Sequence, residues 1–271
     1  VTTDPNTQPE RNSPAAAPVA ATTITTPSDG LAVQWNAVAT ADGRALPVYI
    51  ARPRQPGPLP VVVVVQEIFG VHAHIADVAR RFARLGCLAV APELFFRRGD
   101  PQTAPDVETL RRDFVARTPD AQVLADLDRT LDFAVDQGGD PGRLGLAGFC
   151  WGGRIAWLMA AHQPRLKAVA AWYGRLAGER NETTPQHPGD VAAQVSVPVL
   201  GLYGGQDQGI PLRDVEAQRD ALRAAGKDSR IVIYPDAGHA FFADYRASYR
   251  AESASDGWRR MRSWFTQHGV L

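Results

Sequence analysis

The chain has 271 residues, 45% of them hydrophobic, with 29 basic side chains against 29 acidic ones. That length and apolar share allow a substantial core, in one large α/β domain or two small ones. Zero net charge with no basic stripe argues against nucleic acid, and no apolar run is nearly long enough to span a membrane.

Residues 1–29 are rich in Ala, Thr and Pro and carry no helical or alternating period, so a flexible N-terminal arm is expected there. A single domain is expected over 30–271, since no linker-like stretch follows. Residues 32–40 and 46–51, parted by Asp42 and Gly43, read as a β-hairpin. Five valines in succession, 61–65, suit a central strand covered on both faces. A helix follows over 74–85 with Ile75, Val78, Ala79 and Phe82 on one face, and the next strand is 87–91. Helical stretches are expected around 107–116 and 121–135. After them come an apolar strand ending near Phe149, a helix, a strand at 168–172 and a long loop over 174–195. The last elements are strands at 198–203 and 230–234 and helices at 212–225 and 253–265. Strands alternating with helices predict an α/β fold, a doubly wound, mostly parallel sheet with helices on both faces.

The strongest local signal is Gly148-Phe149-Cys150-Trp151-Gly152, set between the apolar strand and a helical pattern. Composition alone would produce a Gly-x-Cys-x-Gly match only roughly 0.015 times in such a chain. Strand, sharp turn and helix with this pattern at the corner read as the nucleophile elbow of an α/β-hydrolase, with cysteine where serine is usual. The helix N-terminus under Cys150 favours a thiolate. Cys87, at the start of a strand, is expected to be core filler.

A thiol nucleophile needs a base, and the base needs an orienting acid. In this fold they follow the nucleophile in the order acid, then base. Asp207 lies in a Gly-Gly-Gln-Asp turn after strand 198–203, and His239 lies after strand 230–234, at the carboxyl edge where catalytic groups collect. The other histidines follow no comparable strand and turn, apart from His72. Two cysteines form no disulfide framework and no metal-ligand cluster is visible, so no metal or cofactor is expected. The same usage makes a reducing, cytoplasmic setting the default. A start at Val1 leaves a trimmed chain or the mature end of an exported protein open.

With these residues placed, the chain resembles the dienelactone hydrolase family of α/β-hydrolases over roughly 45–268. Four segments carry the likeness, namely Gln66–Val71, Ala91–Leu94, Gly148–Gly153 and Gly238–Phe241. The resemblance implies a Cys150–Asp207–His239 triad and gives Glu67 a part in taking the thiol proton. It implies an oxyanion hole from the backbone N–H groups of Ile68 and Trp151, and no cofactor. It also implies a pair of arginines for a substrate carboxylate; Arg97 matches the first, whereas Ala243 stands at the second position. Arg246 and Arg98 are expected to face solvent, and Phe69 and His72 to line the mouth of the pocket. The expected activity is hydrolysis of a lactone or small ester, a small-molecule partner, through a thioacyl-enzyme. A thioesterase or other acyl hydrolase on the same triad, and a non-catalytic thiol sensor, stay open at this point. The oligomeric state is not legible.

Overall fold

The computed structural model describes residues 12–271. A hairpin of β1 (Leu31–Ala39) and β2 (Ala45–Pro53) leads into β3 (Leu59–Val65), α1 (Ala73–Arg84) and β4 (Leu88–Pro92). Next come α2 (Val107–Thr109), α3 (Asp120–Asp136), β5 (Gly139–Phe149), α4 (Trp151–His162) and β6 (Ala168–Trp172). The chain closes with β7 (Val199–Gly204), α5 (Leu212–Ala224), β8 (Ser229–Tyr234) and α6 (Ala251–Gln267). The eight strands form one sheet in the order β1-β2-β4-β3-β5-β6-β7-β8. Only β2 runs against the others, as it pairs antiparallel with both β1 and β4.

All seven residues of β3 are buried, which the unbroken valines require: with a helix layer on each face, neither side of the strand can be polar. Right-handed crossovers put α1 on one face and α3 and α4 on the other. Phe82 of α1 meets Trp258 and Phe265 of α6, so the last helix completes the α1 face. The chain leaves β3 toward β4 and returns across it to β5, so the strand order reverses between β3 and β5. In open α/β sheets, ligands bind outside the carboxyl ends of the strands at such a reversal. There Val65 pairs with Gly148, which brings the residues following β3 and β5 level with one another.

Two expectations need correction. The segment expected to be helical at 107–116 is not a regular helix: α2 passes into a π turn at Leu110–Phe114 and a 3-10 turn at Val115–Arg117. Leu110 and Phe114 are its buried anchors, while Arg111 and Arg112 between them face outward.

The arm expected to be flexible is, from residue 12 onward, a strap laid across α1. Residues 1–11 lie outside the described part. The backbone N–H of Thr26 donates to the Asp77 carboxylate and its carbonyl accepts from Arg80 Nε at 2.8 Å. The carbonyl of Pro27 accepts from Arg84 at 2.8 Å, and Val19 N donates to the Tyr245 carbonyl at 2.7 Å. Asp77, Arg80, Arg81 and Arg84 repeat at helical spacing, so one face of α1 offers a ladder of charges. A stretch without period can be ordered by tertiary hydrogen bonds alone. Its sequence shows none of this.

A buried guanidinium ties the loop 174–195 to the helical layer, beside the Asp120 N–H bond to the Thr183 carbonyl at 2.8 Å. Arg154, on α4, makes two 2.7 Å bonds to the Asp120 carboxylate at the start of α3 and a third to the Gln186 carbonyl. Both side chains are buried, and removing one partner of such a pair strands the other charge out of water. Arg154→Met is expected to cost about 3–5 kcal/mol in urea unfolding. Arg154→Met with Asp120→Leu is expected to recover most of that loss; a double variant no better than the single one would show that the pair itself is the stabilising unit.

Candidate active site

Four strand ends build the site. Cys150 follows β5 with φ 56° and ψ −114°, a left-handed conformation costly for any residue with a Cβ. The cost is met by packing: a Cβ on Gly148 would strike the Gly152 carbonyl, and one on Gly152 would strike the carbonyls of Val65 and Gln66. Strand, turn and helix therefore close up only with glycine at both places, and Cys150 is pushed out at the corner. Its own N–H donates to the Trp172 carbonyl at 3.0 Å, which ties the elbow to the end of β6.

Asp207 and His239 arrive from the next two loops. Gly204 lets those loops touch, since a Cβ there would collide with the carbonyl of Ala237. Gln206 N then donates to the Ala237 carbonyl at 2.9 Å and Gly205 N to the Tyr234 carbonyl at 2.7 Å. As a result His239 Nδ1 lies 2.7 Å from Asp207 Oδ2, and His239 Nε2 lies 3.1 Å from Cys150 Sγ. The buried Asp207 accepts a further 2.8 Å bond from Gly209 N, which fixes its carboxylate. With the carboxylate at Nδ1, that nitrogen carries a hydrogen and Nε2 faces the sulfur. Burial alone would depress the imidazole, but the Cys150 charge and the Asp207 hydrogen bond outweigh it and raise His239 to about 10.

The amides of Trp151, at the first position of α4, and of Ile68, in the turn after β3, have no protein acceptor among the described residues. The Ile68 turn is closed by pairing of Glu67 with Gly70, and Trp151 is propped by the Phe95 ring at 4.7 Å. Glu67 itself is buried. Its Oε2 accepts from the Tyr245 hydroxyl at 2.7 Å and lies 3.5 Å from His72 Nε2. Burial raises its carboxyl, but the His72 contact, the charges of His74 and His72 and the Tyr245 bond together hold it down to about 2. Burial is also the largest influence on His72 and lowers its imidazole, against the pull of Glu67. A low carboxyl presupposes a proton on the facing ring, which burial of that ring opposes. The two groups therefore titrate as one unit.

Three expected substrate contacts are placed otherwise. Arg97 does not face the triad region freely: it bonds Asp42 in the β1–β2 turn at 2.8 Å and Asp126 on α3 at 2.5 Å. That hydrogen bond holds the Asp42 carboxyl well below the usual range. Phe69 and His72 are 1% and 0% exposed, so they back the site instead of lining its mouth. Arg246, expected in solvent, is half-buried with its guanidinium 5.7 Å from the centre of the Phe69 ring. Cys87 is buried, and burial pushes its thiol up to about 12, which takes it out of play as a nucleophile.

Sequence reading did not find Tyr245, Asn12 or Tyr173. Tyr173 stands just past β6 at φ 38°, its ring edge-on to His239 at 5.3 Å. Its buried hydroxyl has no partner among the described residues, and burial lifts it well above the usual phenol range.

Comparison with known proteins fits this geometry. A model of the dienelactone hydrolase family matches residues 46–269. The chain belongs to the dienelactone hydrolase family. Within that family it is 54% identical over 264 residues to an Escherichia coli (strain K12) protein named "Putative carboxymethylenebutenolidase", covering 97% of each chain. A Methylorubrum extorquens protein of the same name is 54% identical over 258 residues, 94% of this chain and 88% of that one. A Klebsiella pneumoniae crystal structure titled "Putative Dienelactone Hydrolase" superposes with a TM-score of 0.86 at 55% identity, over 88% of this chain and 99% of that one. Membership of the dienelactone hydrolase family makes the chain an ester-bond hydrolase with the α/β-hydrolase fold and a small-molecule substrate. Among the described residues no helix is long and apolar enough to cross a membrane.

The family segment Ala91–Leu94 also has a visible task. Glu93 accepts from Val71 N at 2.7 Å and from Phe95 N at 3.3 Å, which ties the turn after β3 to the end of β4. Burial raises its carboxyl to about 7 despite those bonds. A carboxyl raised on folding holds its proton between about 4.5 and 7 while the unfolded chain has lost it. Stability therefore falls as pH rises through that window, by about 2 kcal/mol after allowance for the partial exposure of Glu93. Glu93→Gln should flatten this slope in urea unfolding between pH 4.5 and 8; an unchanged slope would remove Glu93 from the account.

Proposed function

We propose that the chain hydrolyses a lactone or a small ester by nucleophilic catalysis at Cys150. The observation that carries the reading is the line Asp207 Oδ2, His239 Nδ1, His239 Nε2, Cys150 Sγ, with gaps of 2.7 and 3.1 Å, at the head of α4.

In this reading the Cys150 thiolate attacks the ester carbonyl carbon. The new C–S bond forms as the carbonyl electron pair moves onto oxygen, where the free N–H groups of Trp151 and Ile68 receive it. Each such donor is worth about 3 kcal/mol in a transition state. Collapse restores the carbonyl and breaks the C–O bond, and the leaving oxygen takes the proton from His239 Nε2. In a lactone that oxygen stays tethered as the new hydroxyl. Neutral His239, held by Asp207, then takes a proton from water as the water oxygen attacks the thioester. The thiolate leaves and the imidazolium is restored. Glu67, level with Cys150 across the β3–β5 reversal, acts on the ionisation of the thiol.

The substrate end of the site differs from a two-arginine clamp, since Arg97 is held by two carboxylates and Ala243 is buried without a cation. Arg246, over Phe69, is the guanidinium next to the oxyanion turn, and in this reading it meets any anionic group on the substrate.

Two measurements test the proposal. Short-chain p-nitrophenyl ester and dienelactone turnover should fall at least about 10³-fold in kcat/KM on Cys150→Ala. Equal turnover by the two proteins would overturn the mechanism. Arg246→Ala should raise KM about tenfold for a carboxylate-bearing lactone and leave a neutral ester unchanged, as expected for loss of one charge-assisted contact. A matching loss on both substrates would show that Arg246 only props Phe69.

A further inference from the structure

The pocket around Glu67 contains an accounting of protons that the backbone settles. Asn12, at the start of the strap, places its Oδ1 3.0 Å from the His74 backbone N–H and 2.8 Å from His72 Nδ1. A backbone N–H can only donate, so the atom facing it is the amide oxygen and not the NH₂. That oxygen can only accept, so His72 Nδ1 carries a hydrogen. A neutral His72 with its hydrogen on Nδ1 would then point the Nε2 lone pair at Glu67 Oε2, 3.5 Å away in a fully buried site. Two lone pairs facing one another there are repulsive, and Oε2 already receives the Tyr245 hydroxyl. A proton on His72 Nε2, shared with Glu67, removes that repulsion and serves a buried nitrogen that has no other hydrogen-bond partner among the described residues.

We propose that Asn12 and His72 act as positioning residues for Glu67, by fixing one shared proton on the Glu67–His72 pair. The proposal rests on the catalytic reading of Cys150 and Glu67 given above. With that proton the pair is neutral overall, and the pocket beside the nucleophile holds no net negative charge. Without Asn12 the ring is free to adopt its other tautomer, with Nε2–H donating to a fully ionised Glu67. The pair would then carry a charge of −1 and oppose formation of the Cys150 thiolate. The strap thus reaches the chemistry through a single amide oxygen. The groups facing the pair are His74 from α1, Tyr245 and Arg246 from the loop after β8, and Tyr173 from the end of β6. None of them replaces the Asn12 oxygen at Nδ1.

The test uses the full chain and two readouts. Side-chain ¹⁵N NMR of His72 should show Nδ1 proton-bearing in the wild type and in Asn12→Asp, whose carboxylate still accepts. In Asn12→Ala, Nδ1 should lose its hydrogen. The rate of Cys150 alkylation by iodoacetamide, followed from pH 5 to 10, should shift upward by about one pH unit in Asn12→Ala, or roughly tenfold slower labelling near neutrality. Glu67→Gln should abolish the effect of Asn12→Ala. A loss of packing alone would strike both backgrounds equally. An Nδ1 without hydrogen in the wild type, or an Asn12→Ala shift that survives in Glu67→Gln, overturns the proposal. Ester turnover that persists in Cys150→Ala overturns the catalytic reading instead, and leaves the NMR result standing as a fact about the pair.

Discussion

The proposed chemistry depends on a cysteine held where its backbone does not rest. A left-handed φ at Cys150 costs on the order of 1–3 kcal/mol, and nothing at Cys150 itself supplies that energy. It is supplied by contact between Gly148 and Gly152 and between Gly152 and the end of β3, where no side chain fits. The same closeness fixes what the strain accomplishes. Because α4 begins against the end of β3, the turn at Ile68 and the Glu67 carboxylate follow β3 level with the elbow, without any long side chain reaching across. A looser elbow would relieve the backbone and lose the alignment of four groups at once.

The electrostatics follow a division between two buried carboxylates. Asp207 faces an imidazole whose other nitrogen meets the Cys150 sulfur. Glu67 faces a ring enclosed on all sides, with no exposed edge through which water could lower the cost of charge. In the proposed mechanism one carboxylate orients the base. In the proposal above, the other adds no net charge to the pocket.

How much of this could be read from the chain follows from how far apart the partners are. The β3, β5 and elbow signals are local: five valines, or glycines at fixed offsets from a cysteine, imply their own geometry. Asp207 and His239 were legible because each follows a strand, and the fold fixes where strand ends go. Tyr245 was not, since it meets Glu67 across 178 positions with no motif around it. Arg97 matched by position, and its diversion to Asp42 and Asp126 depends on where a hairpin turn and a helix come to lie. The strap was missed for a related reason. Its order comes from charges on α1, and a segment that supplies only backbone groups leaves no trace in its composition.

That last point bears on why such a segment is present at all. Asp77 lies on the buried side of α1 with Arg80 and Arg81 bonded to it, and Asp244 shares Arg81. Buried charges of this kind cost stability unless their remaining donors and acceptors are also met. The strap meets them: Thr26 completes Asp77 and Arg80, and Ile24 N donates to Asp244 at 3.3 Å. The residue after Asp244 is Tyr245, whose hydroxyl holds Glu67, and two residues before His74 stands His72. Anchoring the strap on α1 therefore also fixes the two side chains that grip the Glu67 carboxylate. The charge ladder on α1 and the acid–base pocket are parts of one network, and the N-terminal segment is its outer wall.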